Sequence, residues 1–173
     1  MEYGRIVASL SPRPQSPSDP RRDITFRTVD PRSPIALTAV GRYFAELAER
    51  FTDGFDASRS AEEDASLSPP GGAFVLALRD GVPVACGGIR SLSQNVGEVK
   101  RMWVDPDCRG VGLGSRLLRH LESLSAALGH RLIRLDTNDS LTEAIAMYHK
   151  QGYREIESYN DNPYARCWFE KEL

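Results

Sequence analysis

The sequence has few cysteines, no long apolar run and no excess of charge of either sign. Its three cysteines, Cys86, Cys108 and Cys167, are far apart and form no C-x-x-C pair, which is typical of a reducing compartment and predicts neither a disulfide framework nor a zinc site. No apolar run approaches the roughly 20 residues that span a bilayer, and the N-terminus lacks the apolar region of a secretory signal. We therefore expect a soluble, cytoplasmic protein that binds no membrane and no metal.

The near balance of charge argues against one class of partner. The chain carries 22 basic and 24 acidic residues, a net charge of −2 over 173 residues. A protein whose main partner is nucleic acid needs a basic surface for the phosphates. The length is that of one domain, which can bury a single hydrophobic core without disulfides. We therefore expect one domain and no nucleic-acid partner.

Periodicity divides the chain into a leader and an α/β domain. Residues 1–22 carry four prolines among Ser and Arg, so we expect a flexible leader. Over residues 23–173, apolar residues alternate or recur at helical spacing, which predicts the order β-α-β-β-β-α-β-α-β-β. The first helix is predicted over "SPIALTAVGRYFAELAERF", with Pro34 in its first turn and an apolar stripe from Leu37 to Phe51.

Three glycines stand where a helix begins, within "VDPDCRGVGLGSRLL". Glycine weakens a helix by about 1 kcal/mol relative to alanine. Glycines before a helix N-terminus, however, let a ligand approach unpaired N–H groups that favour anions. Together with the positive charge of Arg109, the residues Gly110, Gly112 and Gly114 indicate a pyrophosphate-binding loop. The alternative is an ordinary turn before a helix that tolerates glycine.

Three known phosphate-binding patterns compete for this stretch. A P-loop needs a Lys-Ser or Lys-Thr pair, which is absent here. A Rossmann fingerprint fits Gly110 and Gly112 but meets serine at position 115, although Asp136 at the end of the next strand suits a ribose-binding acid. The third pattern, R/Q-x-x-G-x-G/A, is met by Arg109, Gly112 and Gly114.

The third pattern and its surroundings resemble the GNAT superfamily of acyl-CoA-dependent N-acetyltransferases. "VKRMWVDPDCRGVGLGSRLL" is similar to the family's strand-loop-helix unit, and "AMYHKQGYREI" is similar to its Y-x-x-x-G-[FY] segment. The resemblance covers residues 23–173. It implies a single-domain α/β fold whose mixed central sheet is flanked by helices and splays around the fourth strand.

The resemblance implies that acetyl-CoA is the co-substrate and that no metal takes part. The coenzyme is expected to contact the fourth strand, the glycine loop and the start of the next helix: Met102, Trp103, Val104, Arg109, Gly110, Val111, Gly112, Leu113, Gly114 and Ser115. Many family members carry an asparagine seven residues before the tyrosine, where this chain has Leu141. Asn138 or Asp139 is therefore the candidate for that contact.

Acetyl transfer to an amine calls for a base and an acid. An alkylammonium with a pKa of about 10 must lose a proton before it attacks, and the resemblance makes Glu98 the candidate base. Strand alternation predicts that Glu98, Lys100 and Met102 share one face. Tyr148 is the candidate acid for the departing thiolate. The alternatives are an exposed Glu98 paired with a basic residue, and a Tyr148 that only packs in the core.

The acceptor is the part of the reaction that the sequence defines least. In the family the first helix, the loop after it and the last hairpin wall the acceptor. Here these segments contain Tyr43, Phe55, Asp56, Tyr159, Asn160, Asp161, Asn162, Tyr164 and Trp168. The acids and aromatics among them suit a cationic amine; the alternative is that the acids are solvated and the aromatics pack the hairpin. The expected activity is acetyl transfer to a small-molecule amine by direct attack in a ternary complex. A peptide or protein amine, a non-catalytic acyl-CoA-binding module and a homodimer through the C-terminal strands stay open as alternatives.

Overall fold

A computed structural model describes residues 23–51, 54–57 and 65–173. Within them the chain forms seven strands and three α-helices in the predicted order. These are β1 (Ile24–Val29), α1 (Pro34–Arg50), β2 (Gly72–Arg79), β3 (Val82–Ser93), β4 (Val96–Val104), α2 (Leu113–Ala127), β5 (Leu132–Thr137), α3 (Thr142–Lys150), β6 (Arg154–Ile156) and β7 (Cys167–Glu172). The predicted leader, residues 1–22, lies outside the described residues.

The strands form one mixed sheet in the order β1-β2-β3-β4-β5-β7-β6. Strands β1 to β4 are antiparallel neighbours, β4 and β5 are parallel, and β5, β7 and β6 are again antiparallel. The pairing of β4 with β5 joins residues 96–98 to residues 132–134 and ends there. The predicted α/β fold, with a sheet that opens beside its fourth strand, is confirmed.

Helices cover both faces of this sheet. Helix α1 lies on one face, in a cluster that contains Phe74 and Trp103. Helix α2 lies on the other face, where Leu117, Leu121 and Ile133 are fully buried in a second cluster. Each such side chain stabilises the fold by about 1.5–3 kcal/mol. Strand β4 is therefore held between two hydrophobic clusters, one on each side of the sheet.

The sequence prediction was wrong in two details of these elements. Leu37, expected in the apolar stripe of α1, is 53% exposed, whereas Ala36 and Ala39 are fully buried. Helix α1 thus approaches the sheet through small residues, which turns its buried face away from Leu37. The last predicted strand but one, from Arg154 to Tyr159, ends at Ile156, and the residues after it form a loop.

Strand β4 contains a β-bulge at Arg101. Lys100 pairs with Gly88 of β3 and Trp103 pairs with Cys86, so that two residues of β4 lie opposite one residue of β3. Arg101 takes a left-handed φ of 57°, which is uncommon for a residue other than glycine. A bulge of this kind redirects the side chains that follow it.

The bulge reverses the alternation of side chains along β4. Met102 packs in the same cluster as Val99, on the face of α2, whereas Trp103 packs on the face of α1. Glu98 and Lys100 alternate with Val99 and so lie on the face opposite to Met102. The prediction that Glu98, Lys100 and Met102 share one face is therefore wrong.

Two further observations concern membrane-spanning helices and metal sites. Among the three described ranges, no helix combines the length and the apolar character that a membrane crossing needs. In the same ranges, no three His, Cys, Asp or Glu side chains come together as ligands for a metal ion.

Candidate active site

The glycine loop joins β4 to α2 through two left-handed residues. Gly110 has a φ of 77° and Gly112 a φ of 82°, a conformation in which glycine has no steric cost. A Cβ on either residue would meet no atom within 4 Å, so the backbone of the loop borders open space. Gly114 differs, because a Cβ there would lie 3.0 Å from Met147 Sδ. Gly114 therefore allows α2 and α3 to approach closely.

The first turn of α2 presents unpaired N–H groups to this open space. The amide of Arg116 donates to Gly112 O at 3.1 Å. The amides of Leu113, Gly114 and Ser115 find no acceptor among the described residues, as is normal for the first turn of a helix. The turn carries no acidic residue. Its amides and the positive end of the helix dipole suit a phosphate group.

A cleft of about 300 Å³ lies between the glycine loop, β4, α1 and α3. Nine of the residues predicted to contact the coenzyme line it: Met102, Trp103, Val104, Arg109, Gly110, Gly112, Leu113, Gly114 and Ser115. Val111 instead packs against the cluster under α2. Asn138 lies outside the cleft, and its side chain donates to Tyr164 O at 2.7 Å and accepts from the Ser140 amide at 3.0 Å. We call this space the coenzyme cleft, after the ligand that the sequence analysis predicts for it.

Arg109 is fixed at the edge of the coenzyme cleft by α1. Its Nη2 donates to both carboxylate oxygens of Glu46, at 2.8 and 2.6 Å, and its Nε donates to Val104 O at 2.9 Å. Trp103 Nε1 also donates to Glu46, at 2.9 Å. Burial raises the pKa of Glu46, but the hydrogen bonds from Arg109 and Trp103 outweigh it, so the pKa lies below its ordinary value. Arg109 thereby holds the loop against α1.

A second ion pair crosses the mouth of the coenzyme cleft. Arg50 on α1 donates to the carboxylate of Glu143 on α3, and to Ser140 O at 2.8 Å. The hydrogen bond from Arg50 lowers the pKa of Glu143 to about 2. Because α1 and α3 lie on opposite faces of the sheet, this pair joins the two faces beside the gap between β4 and β5.

A second cavity of about 330 Å³ adjoins the coenzyme cleft. Four rings line one side of it, and neighbouring ring centroids are 5.0 to 6.1 Å apart: Phe44, Phe51, Phe55 and Tyr164. The Tyr164 hydroxyl accepts a hydrogen bond from the Asp56 amide at 2.9 Å. This contact joins the segment after α1 to the loop before β7. We call this space the aromatic cavity.

The opposite wall of the aromatic cavity is polar. Asp136, at the end of β5, accepts from Asn160 Nδ2 at 2.6 Å and from Asn162 Nδ2 at 3.2 Å. Lys100 Nζ lies 3.4 Å from the same carboxylate. The two asparagines hold the loop between β6 and β7 against this cavity, and the expectation that the last hairpin walls the acceptor stays a prediction.

Glu98 lies behind this wall. It is fully buried, and its carboxylate accepts hydrogen bonds from Tyr159 Oη at 2.8 Å and from Arg90 Nε, with Lys100 Nζ 3.8 Å away. The side chain lines neither the aromatic cavity nor the coenzyme cleft. The alternative is wrong about the exposure of Glu98, but its pairing with a basic residue is confirmed. The role of Glu98 as a base stays a prediction. Asp136 is the carboxylate of β5 that does line the cavity.

The two cavities meet at a pair of tyrosines. Six residues line both spaces: Tyr43, Leu47, Met102, Leu141, Ala144 and Tyr148. Tyr148 is 5% exposed, and neither Tyr43 nor Tyr148 has a hydrogen-bond partner for its hydroxyl among the described residues. Burial raises the pKa of both phenols. Both hydroxyls therefore stay protonated at neutral pH and can donate a hydrogen bond or a proton at the junction.

A comparison with models of known protein families shows which family the chain belongs to. The model of the acetyltransferase (GNAT) family matches residues 41–153, which include β4, the glycine loop and Tyr148. The chain belongs to the GNAT family. The resemblance seen in the sequence is thereby confirmed.

Individual relatives match about half of this chain in sequence and most of it in structure. An IAA acetyltransferase of Azospirillum brasilense is 39% identical over 89 residues, which cover 51% of this chain and 58% of that protein. A candidate acyl-CoA N-acyltransferase of Klebsiella pneumoniae has a crystal structure with a TM-score of 0.68 and 27% identity, covering 87% of this chain and 97% of that one. A GNAT acetyltransferase of Elizabethkingia anophelis, solved with acetyl-CoA bound, has a TM-score of 0.63 and 18% identity, covering 88% and 99%. The chain spans 56% to 60% of the length of the curated relatives that it matches.

Two residues that line the aromatic cavity were not singled out as site residues by the sequence analysis, Asp136 and Arg101. Asp136 entered the sequence analysis only as part of a Rossmann pattern. Its position was a usable signal, because ligands of parallel strands bind at their carboxyl ends, and β5 is the parallel neighbour of β4. Arg101 was missed because a β-bulge leaves no mark in a single sequence.

Proposed function

We propose that this chain is an N-acetyltransferase that moves the acetyl group of acetyl-CoA to an amine of a small molecule within a ternary complex. The observation that carries the proposal is the junction at Tyr148 of two cavities with different chemistry. One cavity ends at a helix N-terminus suited to phosphate, and the other is lined by rings and polar side chains. The names of the relatives and the acetyl-CoA bound to one structural neighbour agree with it.

The residues of the coenzyme cleft fit coenzyme A. The pyrophosphate would bind the amides of Leu113, Gly114 and Ser115, next to the open space at Gly112. The pantetheine arm would bind along the second half of β4, where β5 no longer pairs with it. Bound there, acetyl-CoA supplies an activated thioester.

The side chains at the junction can serve the chemistry that an amine acceptor needs. Tyr148 Oη lies at the junction and carries a proton at neutral pH, and a departing sulfur needs a proton donor. Tyr43, whose pKa burial also raises, supplies a second donor to the same point. The aromatic cavity, at about 330 Å³, has the size of a site for a small molecule.

The decisive experiment measures the release of free thiol from acetyl-CoA over a panel of small amines, alongside a calorimetric titration with coenzyme A. We expect coenzyme A to bind and at least one small amine to give turnover, with none in the absence of amine. Turnover only with basic peptides would replace the small-molecule acceptor by a peptide. Binding of coenzyme A without turnover on small amines or peptides would identify a non-catalytic acyl-CoA-binding module.

A further inference from the structure

The rings that line the aromatic cavity leave part of their surface uncovered. Four of them are only half-buried, although neighbouring centroids are 5.0 to 6.1 Å apart: Phe44, Phe51, Phe55 and Tyr164. In the hydrophobic core, by contrast, Phe74 and Phe169 are fully buried. The cavity therefore offers aromatic surface that a bound molecule can remove from water.

One of these rings is already covered in part. The central carbon of the Arg101 guanidinium lies 5.3 Å from the centroid of the Phe44 ring, within the range of a cation–π contact. The contacts of a ligand with the aromatic wall therefore fall mainly to Phe51, Phe55 and Tyr164.

Hydrogen bonds of its polar atoms hold Tyr164 in place. Its hydroxyl accepts from the Asp56 amide at 2.9 Å, its carbonyl oxygen accepts from Asn138 Nδ2 at 2.7 Å, and its amide donates to Asn162 Oδ1 at 3.1 Å. A wall that is positioned in advance loses less conformational freedom when a ligand binds. The ring of Tyr164 is thus fixed at the cavity while its surface stays available.

The charged side chains of the cavity do not favour a ligand charge of one sign. Asp136 and Asp161 line it, and so do Arg90, Lys100 and Arg101. With both signs present on the wall, charge distinguishes acceptors less than the aromatic surface does.

The position of the reacting junction determines which part of an acceptor meets the rings. Tyr43 and Tyr148 line both the aromatic cavity and the coenzyme cleft, so the nitrogen of an acceptor has to reach them to attack the thioester. The remainder of the acceptor then lies in the aromatic cavity. Its volume of about 330 Å³ suits a small molecule with a single ring on a short linker.

We infer that the acceptor is a primary amine whose short carbon linker carries an aromatic ring, with the nitrogen at Tyr148 and the ring among Phe51, Phe55 and Tyr164. The inference rests on the proposed acetyl transfer. Aromatic rings in offset or edge-on contact stabilise each other beyond the area that they bury. An aromatic acceptor therefore gains more from this wall than an aliphatic acceptor of equal size.

The step conserves atoms and charge. The neutral amine forms an N–C bond to the acetyl carbonyl carbon, and the C–S bond to coenzyme A breaks. One amine proton leaves to solvent, and the sulfur takes a proton from Tyr148, which is reprotonated from solvent. The products are an uncharged N-acetyl amide that keeps its ring, and free coenzyme A.

The first test compares amines that share the reacting group and differ in the remainder. The probes are phenylethylamine, cyclohexylethylamine and the polar aminoethoxyethanol, each with saturating acetyl-CoA. We expect kcat/KM for phenylethylamine to exceed that for aminoethoxyethanol by about 10- to 100-fold, from burial of the ring, and that for cyclohexylethylamine by about 2- to 10-fold, from contacts between rings. Equal or greater kcat/KM for either of the other two amines would overturn the inference.

Variants of the wall separate ligand contact from packing. Phe55→Leu and Tyr164→Leu each remove one ring, so each should lower the ratio of kcat/KM for phenylethylamine to that for propylamine by about 2- to 10-fold. Phe26→Leu is the matched control, because Phe26 is a half-buried ring that stacks on His120 at 5.0 Å outside both cavities; it should leave the ratio unchanged. An unchanged ratio in folded Phe55→Leu and Tyr164→Leu proteins would mean that the rings only close the cavity.

The failure of this inference is distinguishable from failure of the proposed function. Turnover that is as fast on polar amines, or that occurs on peptides alone, overturns the aromatic acceptor and leaves acetyl transfer intact. Absence of turnover on every probe, with coenzyme A bound in the titration, also overturns the aromatic acceptor. Absence of coenzyme A binding overturns the proposed function itself.

Discussion

Tyr148 and Tyr153 are neighbouring tyrosines that differ in their access to the two cavities. Their ring centroids are 5.9 Å apart in the same buried cluster, but only Tyr148 lines the two cavities. We expect Tyr148→Phe to lower turnover by roughly 10²–10⁴-fold, because it removes the proton donor at the junction. The affinity for coenzyme A should hardly change, since the glycine loop is untouched. Steady-state turnover and a binding titration on the same protein check this.

Tyr153→Phe is the matched control for that change. It deletes the same hydroxyl from the same cluster at a position outside both cavities, so turnover should stay near that of the wild type. Near-normal turnover in Tyr148→Phe would show that Tyr43 or water supplies the proton. Equal losses in both variants would mean that the cluster, and not a hydroxyl at the junction, is what matters.

Asp136 and Glu98 are two carboxylates that differ in access to the aromatic cavity, which Asp136 lines and Glu98 does not. We expect Asp136→Asn to lower kcat/KM for the acceptor by about 10- to 100-fold, because it removes a charge that lines the aromatic cavity. Glu98→Gln should act mainly on stability, lowering the free energy of unfolding by about 3–5 kcal/mol, because Arg90 and Lys100 lose a buried partner. Acceptor kinetics and chemical denaturation of both variants measure the contrast.

The pH profile of Glu98→Gln decides whether Glu98 is a base. A base that takes the amine proton matters most where the amine is protonated. A loss of turnover that is large at neutral pH and fades at high pH would therefore assign the base to Glu98, despite its distance from the cavity wall. A loss of stability with an unchanged pH profile would leave it a structural role.

At the scale of elements, a negative charge in the first turn of α2 should have two opposite effects. It should stabilise the helix and weaken the binding of phosphate at the helix N-terminus. Ser115 is the third residue of α2 and lines the coenzyme cleft. Ser115→Glu should stabilise the helix by about 0.3–1 kcal/mol, because its charge complements the dipole. The same charge repels phosphate and should weaken coenzyme A binding by about tenfold or more. A thermal melt and a calorimetric titration measure the two effects.

Ser115→Gln is the control for the size of the new side chain. It has the shape of the glutamate variant without the charge, so it should keep most of the affinity for coenzyme A. Unchanged affinity in Ser115→Glu would exclude the start of α2 as the pyrophosphate site. Because Ser115 does not need a left-handed backbone, the test avoids the strain that any substitution of Gly110 or Gly112 brings.

At the scale of the whole molecule, His130 makes stability depend on pH. It is buried between Ser91 of β3 and Ser125 of α2, with hydrogen-bond distances of 2.8 and 2.9 Å, and burial lowers its pKa below the ordinary 6.5. As the pH falls below about 6.5, the unfolded chain takes up a proton that the folded chain resists, so stability falls. Above that pH the imidazole of His130 is neutral in the folded and in the unfolded chain, so this loss of stability is absent.

The check is the free energy of unfolding of the wild type and of His130→Gln at several pH values between about 5 and 8. The wild type should lose stability toward acid more steeply than the variant, because the variant lacks the buried imidazole of His130. Parallel curves would show that the burial of His130 does not shift its titration.

The order of elements could be predicted because it depends on periodic patterns, and the family because it depends on one motif and its surroundings. The opening beside β4 was implied by that resemblance. Helix α1 and the glycine loop are examples, since apolar spacing and a glycine pattern fix each of them locally. The face of the sheet on which Met102 lies could not be predicted. It depends on the bulge at Arg101, which is a feature of the pairing between β3 and β4. The burial of Glu98 likewise depends on Tyr159, 61 residues away along the chain.

The separation of β4 from β5 has a consequence for how the sequence of this chain can evolve. The proposed coenzyme contacts lie on main-chain groups of β4 and of the first turn of α2, which no side-chain substitution deletes directly. The aromatic cavity, where the acceptor is proposed to bind, is lined by side chains such as Phe55, Asp136 and Tyr164, each of which one codon change alters. Donor binding is thus inherited with the backbone, whereas acceptor choice can drift or be redesigned a residue at a time. A lineage built on this plan can diversify its substrates while it keeps its acyl donor.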